Sequence, residues 1–276
     1  MSAVTSSNRC RLIRCRFLAS LTSFILLLSL QPALAVCQLV AERPAYQPLR
    51  IQAALALSEV QIRYIGHSTF EIETPQGVRI ATDYNDSVRP LLVPTVATMN
   101  GAHGTHFSVR PDPGIEHILR GWNPEGGPID HDLILQDVRI RNIQTNTRSW
   151  SGETQRLGNS IFIFEVADLC IAHLGHLHHR LTQVDLTRLG QIDIVLAAID
   201  NSSTLRLESL MDVLTAISPS MVIPMHFHFH GALEAFIGRA TASGFNIETA
   251  GDPNLIVSRA QLPREKTVYV MMPSGS

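Results

Sequence analysis

Twelve histidines stand against a single lysine, Lys266, in this chain of 276 residues. Nine of the twelve fall in three short groups: His103 and His106; His173, His176, His178 and His179; His226, His228 and His230. Each group follows directly on a segment patterned as a strand, namely 93–99, 169–172 and 221–225. Loops at strand ends are where α/β folds place chemistry. Neutral imidazole is the commonest ligand for zinc and also suits iron, copper and nickel. Three groups at three strand ends therefore point to a metal centre. Satisfied surface histidines are the competing explanation, and they suit His117 and His131, which show no such placement. A bound ion of this type lowers the pKa of its water toward ~7 and polarises a carbonyl or phosphoryl oxygen. A neighbouring imidazole, with His176, His178 and His179 as candidates, can then move the leaving group's proton. The expected chemistry is hydrolysis of an ester, lactone, amide or phosphodiester. The chain contains no Gly-x-Ser-x-Gly elbow, phosphate loop or dinucleotide glycine signature to support another chemistry.

These groups need elements to hold them. Segments 58–64, 69–73 and 78–83 alternate or are β-branched, and Pro75-Gln76-Gly77 marks a hairpin turn. Residues 93–99 form a buried strand, and 107–130 are a long irregular excursion rich in Pro and Gly that shapes a pocket. Within it, Trp122 is expected to anchor the core rather than contact substrate. Strand patterning resumes at 132–145, and 161–166 with 169–173 form a hairpin around Ala167-Asp168. Helices are expected at 182–189, 205–217 and 232–243, alternating with buried strands at 192–199 and 221–225. That alternation implies α/β layering in one domain.

The net charge is −2 with 22 basic and 24 acidic residues. Arg9, Arg11, Arg14 and Arg16 all precede an apolar run, 17–30, and the small-x-small pattern Ala33-Leu34-Ala35. This is the form of a signal peptide, residues 1–35, cut before Val36. The run is interrupted by serines and is short for a membrane anchor, and no later segment is long and apolar enough to span. Val36 before Cys37 argues against lipidation. Without the leader the chain is more acidic still, which disfavours nucleic acid as a partner. The expected product is an exported protein, periplasmic or secreted, acting on a small molecule. Its parts would be a leader (1–35), an extension (36–54) and one domain (55–276). Cys170, in the run Leu169-Cys170-Ile171-Ala172, is expected to be a buried inert thiol rather than one end of a bridge to Cys37.

The segment Tyr64-Ile65-Gly66-His67-Ser68-Thr69-Phe70, followed by Arg79-Ile80-Ala81-Thr82-Asp83, resembles the opening strands of metallo-β-lactamase superfamily hydrolases. The texture is nearest the branch of L-ascorbate-6-phosphate-lactonase-like proteins. His103-Gly-Thr-His106 resembles the family's His-x-His-x-Asp-His loop. Ile171-Ala172-His173-Leu174-Gly175-His176 resembles its His-x-Gly-Asp segment, and Ile223-Pro224-Met225-His226-Phe227 its last ligand strand. The resemblance covers about 58–271. It implies a four-layer αββα sandwich with a metal site at one sheet edge. It also implies His103, His106, His173 and His226 as ligands, Asp83 as an acid orienting a ligand histidine, and His67 lining the site.

The family's first loop histidine falls on Gly101, its loop aspartate on Thr105, and the aspartate of the third segment on His176. Two acidic ligands are thus replaced by a hydroxyl and an imidazole. His176, His178, His179, His228 or Asp200 could make up the set, and His226, His228 and His230 would share one face if their strand continued. Two close dications need anionic ligands to offset their repulsion. One zinc or other transition-metal ion per chain is therefore expected, lost on His173→Ala or His226→Ala. The alternative is a non-catalytic histidine-rich metal or ligand binder on a degenerate hydrolase scaffold.

Overall fold

The structure, a computed structural model, describes residues 55–149, 151–227 and 230–274. The expectations for the leader, the extension and His228 lie outside the described residues. The chain enters on β1 (Glu59–Gly66), whose alternation buries Val60, Ile62 and Tyr64 on one face. It turns into β2 (Thr69–Glu73) and β3 (Arg79–Ala81), with Gly77 at φ +80° in the turn between them. β4 (Val96–Met99) and β5 (His117–Arg120) then add in parallel.

A second run follows: β6 (Asp132–Leu135), β7 (Val138–Arg148), β8 (Thr154–Val166), β9 (Leu169–His173), β10 (Ile194–Ala198) and β11 (Met221–Met225). Late strands complete both sheets: β12 (Asn246–Thr249), β13 (Asn254–Ser258) and β14 (Thr267–Val270). The six-stranded sheet has order β13-β1-β2-β3-β4-β5, and the eight-stranded sheet β12-β14-β11-β10-β9-β8-β7-β6.

The sheets pack face to face through Ile62, Phe70, Ile72 and Ile80 on one side and Phe162, Phe164, Ile171 and Leu196 on the other. Three helices, α1 (Gln183–Leu189), α2 (Leu207–Ile217) and α3 (His230–Ala242), cover the other face of the eight-stranded sheet. Leu189, Leu210, Leu214 and Phe236 meet Val195, Ala197 and Val222 there. β9, β10 and β11 are thus buried on both faces, which is why each reads as an unbroken apolar run. α1 starts on a capping box, Thr182 and Asp185 exchanging side-chain and backbone bonds. The outer face of the six-stranded sheet is covered by loop residues, Tyr84, Phe107, Ile115 and Trp122 resting on Ala81, Ala97 and Met99.

Two expectations change. Cys170 is buried but disulfide-bonded, its partner lying outside the described residues, so it is not a free thiol. β11 ends at Met225 and His226 turns to φ +57°, so the strand does not continue at His226.

Candidate metal centre

The site lies where strands end. His67 follows β1, Asp83 follows β3, His103 and His106 follow β4, His176 follows β9, Asp200 follows β10 and His226 follows β11. His67, Asp83 and His226 adopt positive φ of 53°, 43° and 57°. Non-glycine residues take this region at a cost, and here it ends a strand and swings a side chain back over the sheet edge.

His103, His106, His176 and His226 each offer a ring nitrogen, and these atoms all lie within 4.8 Å of one another. Their ring centroids are 4.5 to 5.9 Å apart. In three of the four, Nδ1 lies at hydrogen-bond distance from an oxygen behind the ring, and in His226 it faces a carboxylate at ion-pair distance. His106 Nδ1 donates to Asp83 at 2.5 Å, and His103 Nδ1 lies 2.8 Å from the Thr105 hydroxyl. His176 Nδ1 lies 3.1 Å from the Thr147 hydroxyl, and His226 Nδ1 3.7 Å from Asp200. In His106, His176 and His226 this leaves Nε2 for the cluster. The His106 and His226 Nε2 atoms are 3.2 Å apart. Two imidazole nitrogens bound at ~2.0–2.1 Å to one tetrahedral ion stand roughly 3.3–3.4 Å apart, so the spacing fits a shared ion. His176 Nε2 is buried with no hydrogen-bond partner, a costly state that a metal bond relieves.

Burial dominates the electrostatics. It holds the His176 and His226 pKa values down to about 3, helped by neighbouring imidazoles, and His106 well below its ordinary value. All three are neutral at physiological pH, the form a metal requires. Burial raises Asp83 to about 6, against His173, the Asn100 hydrogen bond and His103. Burial also works to raise Asp200, but the Thr204 hydroxyl, His226, Ser202 and Ser203 bring it down to about 2.

His67 joins the group as a neighbour, its ring 4.1 Å from that of His226 and its Nε2 3.3 Å from the Thr105 hydroxyl. His173 does not join. Its Nε2 donates to the Ser68 carbonyl at 2.9 Å and its Nδ1 accepts from Gly175 N–H at 3.2 Å, so both nitrogens serve the backbone. The expectation that it is a ligand is corrected: at the end of β9 it faces the inter-sheet core beside Phe70, and the loop beyond delivers His176 instead. His178 and His179 are outside the tetrad, against β7. His179 Nε2 accepts from Asn146 N–H, and its Nδ1 donates to the Arg180 carbonyl. A cleft of about 170 Å³ bordered by His131, Asp132, Arg139 and Arg141 contains none of the tetrad. Its charges pair locally, Arg139 with Asp132 and Arg141 with Glu165.

Sequence reasoning missed the polar residues behind the ligands. Asn100 donates to Asp83 at 2.9 Å and accepts from Ser160 N–H at 2.7 Å, linking the two sheets. Asn159 accepts from His176 N–H at 2.7 Å. Gly175, at φ +58°, passes so close that a Cβ there would stand 2.4 Å from both asparagine side chains. Gly101 also has a reason: a Cβ would stand 2.9 Å from the Trp122 indole. Trp122 is a packing anchor there, with Phe107 at 5.3 Å.

Two mixed sheets face to face, helices against one of them and a histidine cluster at the strand ends define a metallo-β-lactamase-type fold. The chain belongs to the β-lactamase superfamily: the family model described as "Beta-lactamase superfamily domain" matches residues 61–226. It is 22% identical over 207 residues, 63% of this chain and 88% of the relative, to a UPF0173 metal-dependent hydrolase of Salinibacter ruber. Among solved structures it is similar to a protein of Thermotoga maritima assigned as a Zn-dependent hydrolase of the metallo-β-lactamase superfamily. The TM-score is 0.58 at 22% identity, covering 78% of this chain and all of that one. A metallo hydrolase of Ignicoccus hospitalis matches with TM-score 0.52 at 16% identity, over 72% of this chain and 99% of that one.

Proposed function

We propose that the protein is an exported hydrolase using a single transition-metal ion held by Nε2 of His103, His106, His176 and His226. The observation that carries this is the convergence of one ring nitrogen from each of the four histidines to within 4.8 Å of one another, three of the rings backed at Nδ1 by an oxygen at hydrogen-bond distance. Such backing fixes the tautomer and ring angle of metal-ligating histidines. Four neutral imidazoles carry no charge, and Asp83 with Asp200 supplies two negative charges beside them, which offsets one dication and not two. Bound there, the ion would acidify its water toward ~7 and polarise a substrate carbonyl or phosphoryl oxygen.

The chain's own residues do the rest. Asp83 and Asp200 hold His106 and His226 at the sheet edge. With Nε2 of His103 committed, its Nδ1–H donates to Thr105, whose hydroxyl can donate to His67 Nε2. His67 then holds its remaining proton toward Ser68 Oγ, 3.0 Å away. Thr105 thus ties His67 to the tetrad, and His67 is the imidazole placed to accept or return a proton. His103 is only half-buried and marks the open side, where a small ester, lactone, amide or phosphodiester would enter.

Export is supported by the Ala33-Leu34-Ala35 pattern and by the disulfide at Cys170, a bond that persists in oxidising compartments. A second reading rests on ligand number. Four protein ligands complete a tetrahedral zinc site and leave no open position, as in structural or carrier sites. The test is a screen of esters, lactones, amides and phosphodiesters on chelator-treated protein reloaded with zinc, manganese, iron, cobalt or nickel. Turnover restored by a metal that takes five or six ligands supports the hydrolase. Tight loading with no turnover by any of them favours the binder.

A further inference from the structure

Among the described residues nine large apolar side chains are exposed, and four of them, Leu91, Leu92, Val93 and Val109, lie on two adjacent loops. The other five are single residues on separate segments, which is ordinary for a protein surface. Leu91 is fully exposed and Val109 is 75% exposed.

The loops are tied together on both sides of these residues. Ser108 donates its hydroxyl to Asp86 at 2.6 Å, and Val93 Cγ1 lies 3.3 Å from where a Cβ on Gly114 would stand. Pro90 and Pro94 are buried at either end of Leu91-Leu92-Val93, so the three apolar side chains are pinned outward. Arg89 and Arg110 are exposed beside them. Between residues 87 and 111 the sequence has no acid, and the bordering Asp86 and Asp112 carboxylates are engaged by Ser108 and the Gly114 N–H. The inner ends of the same loops carry Asp83 and Thr105, joined through Asn85, whose amide donates to the Asp83 and Thr105 carbonyls. An outward apolar tip with cations at its base therefore stands beside the tetrad.

A contiguous exposed apolar patch marks a contact surface. Four side chains fall short of the ~800 Å² per partner of a stable protein interface. Insertion into a lipid boundary has no such threshold, and arginines beside inserted apolar residues suit anionic headgroups. We propose that this patch docks the protein on an anionic lipid surface, Leu91, Leu92 and Val109 entering the acyl boundary while Arg89 and Arg110 meet headgroup phosphates. Docking on this face would put the open side of the tetrad close to the bilayer.

The test is co-sedimentation of the metal-loaded full chain with vesicles of phosphatidylglycerol and phosphatidylcholine, or of phosphatidylcholine alone. Variants are compared in the same full chain so that residues 1–35 contribute equally. Expected are preference for anionic vesicles, weakening with salt, and at least ~10-fold weaker partitioning for Leu91→Asp with Leu92→Asp. Arg89→Ala with Arg110→Ala should weaken the anionic preference beyond the constant contribution of Arg9, Arg11, Arg14 and Arg16, and metal content should stay unchanged in every variant. Partitioning unchanged by the aspartates would overturn the proposal. So would a concentration-dependent dimer that the same aspartates dissolve, because a second copy would then be the occupant.

Discussion

His173 ends β9 and His176 stands three positions further, on the loop beyond, and their ring nitrogens decide their roles. His173 satisfies two backbone groups, whereas His176 turns a buried, unbonded Nε2 into the cluster. His176→Ala should lower metal affinity at least ~100-fold, since it removes a ligand from a set of four. His173→Ala should leave metal stoichiometry intact and cost stability instead, about 1–3 kcal/mol for each buried backbone group left unmet. Titration of metal into chelated protein, beside chemical denaturation, separates the two effects. Asp83→Asn keeps the shape but gives up the charge behind His106, and a 10–100-fold loss of metal affinity is expected from removing such a partner. An unchanged affinity would mean that Asp83 does not tune the site.

At the scale of elements, the ends of β4, β9 and β11 act as brackets, and their turn residues tolerate little. Gly175→Ala would put a Cβ into Asn100 and Asn159 and strain φ +58°, displacing the loop that carries His176. Metal content and melting temperature should both fall, whereas Gly104→Ala, with nothing within 4 Å of its Cβ, should change neither. The brackets were legible in the sequence because a parallel strand buried on both faces is an apolar run, and histidines directly after such runs stand out. The hairpin of β2 and β3 and the three helices were legible for the same reason of pattern. The short β5 hides in a Pro- and Gly-rich stretch, and β12, β13 and β14 are edge or late strands whose pairing depends on residues far away in the chain. The assignment of His173 as a ligand failed because motif spacing cannot show which face a strand's last residue takes. Thr147 and Asn159 reach the site only through the long β7–β8 pair, and no local signal announces that.

For the whole molecule, burying four imidazoles makes the metal-free fold sensitive to acid. His176 and His226 have pKa values near 3 when folded against an ordinary value of 6.5. The unfolded chain therefore binds more protons between those limits, and stability present above 6.5 is lost as pH falls toward 3. Each histidine costs about 1.4 kcal/mol per pH unit in that window. Asp83, raised to about 6 from 3.8, acts in the opposite sense, losing stability as pH rises between those values, but it is one group against several. The urea midpoint of chelated protein should accordingly be lower at pH 5 than at pH 7, and a flat profile would contradict neutral buried imidazoles. The central claim is a single ion on four neutral nitrogens, and it is tested most directly by elemental analysis of metal-replete, exhaustively dialysed protein. One metal per chain is expected in the unaltered protein and in His173→Ala, with none in His176→Ala or His226→Ala. Two tightly held metals in the unaltered chain, or none at all, would contradict it.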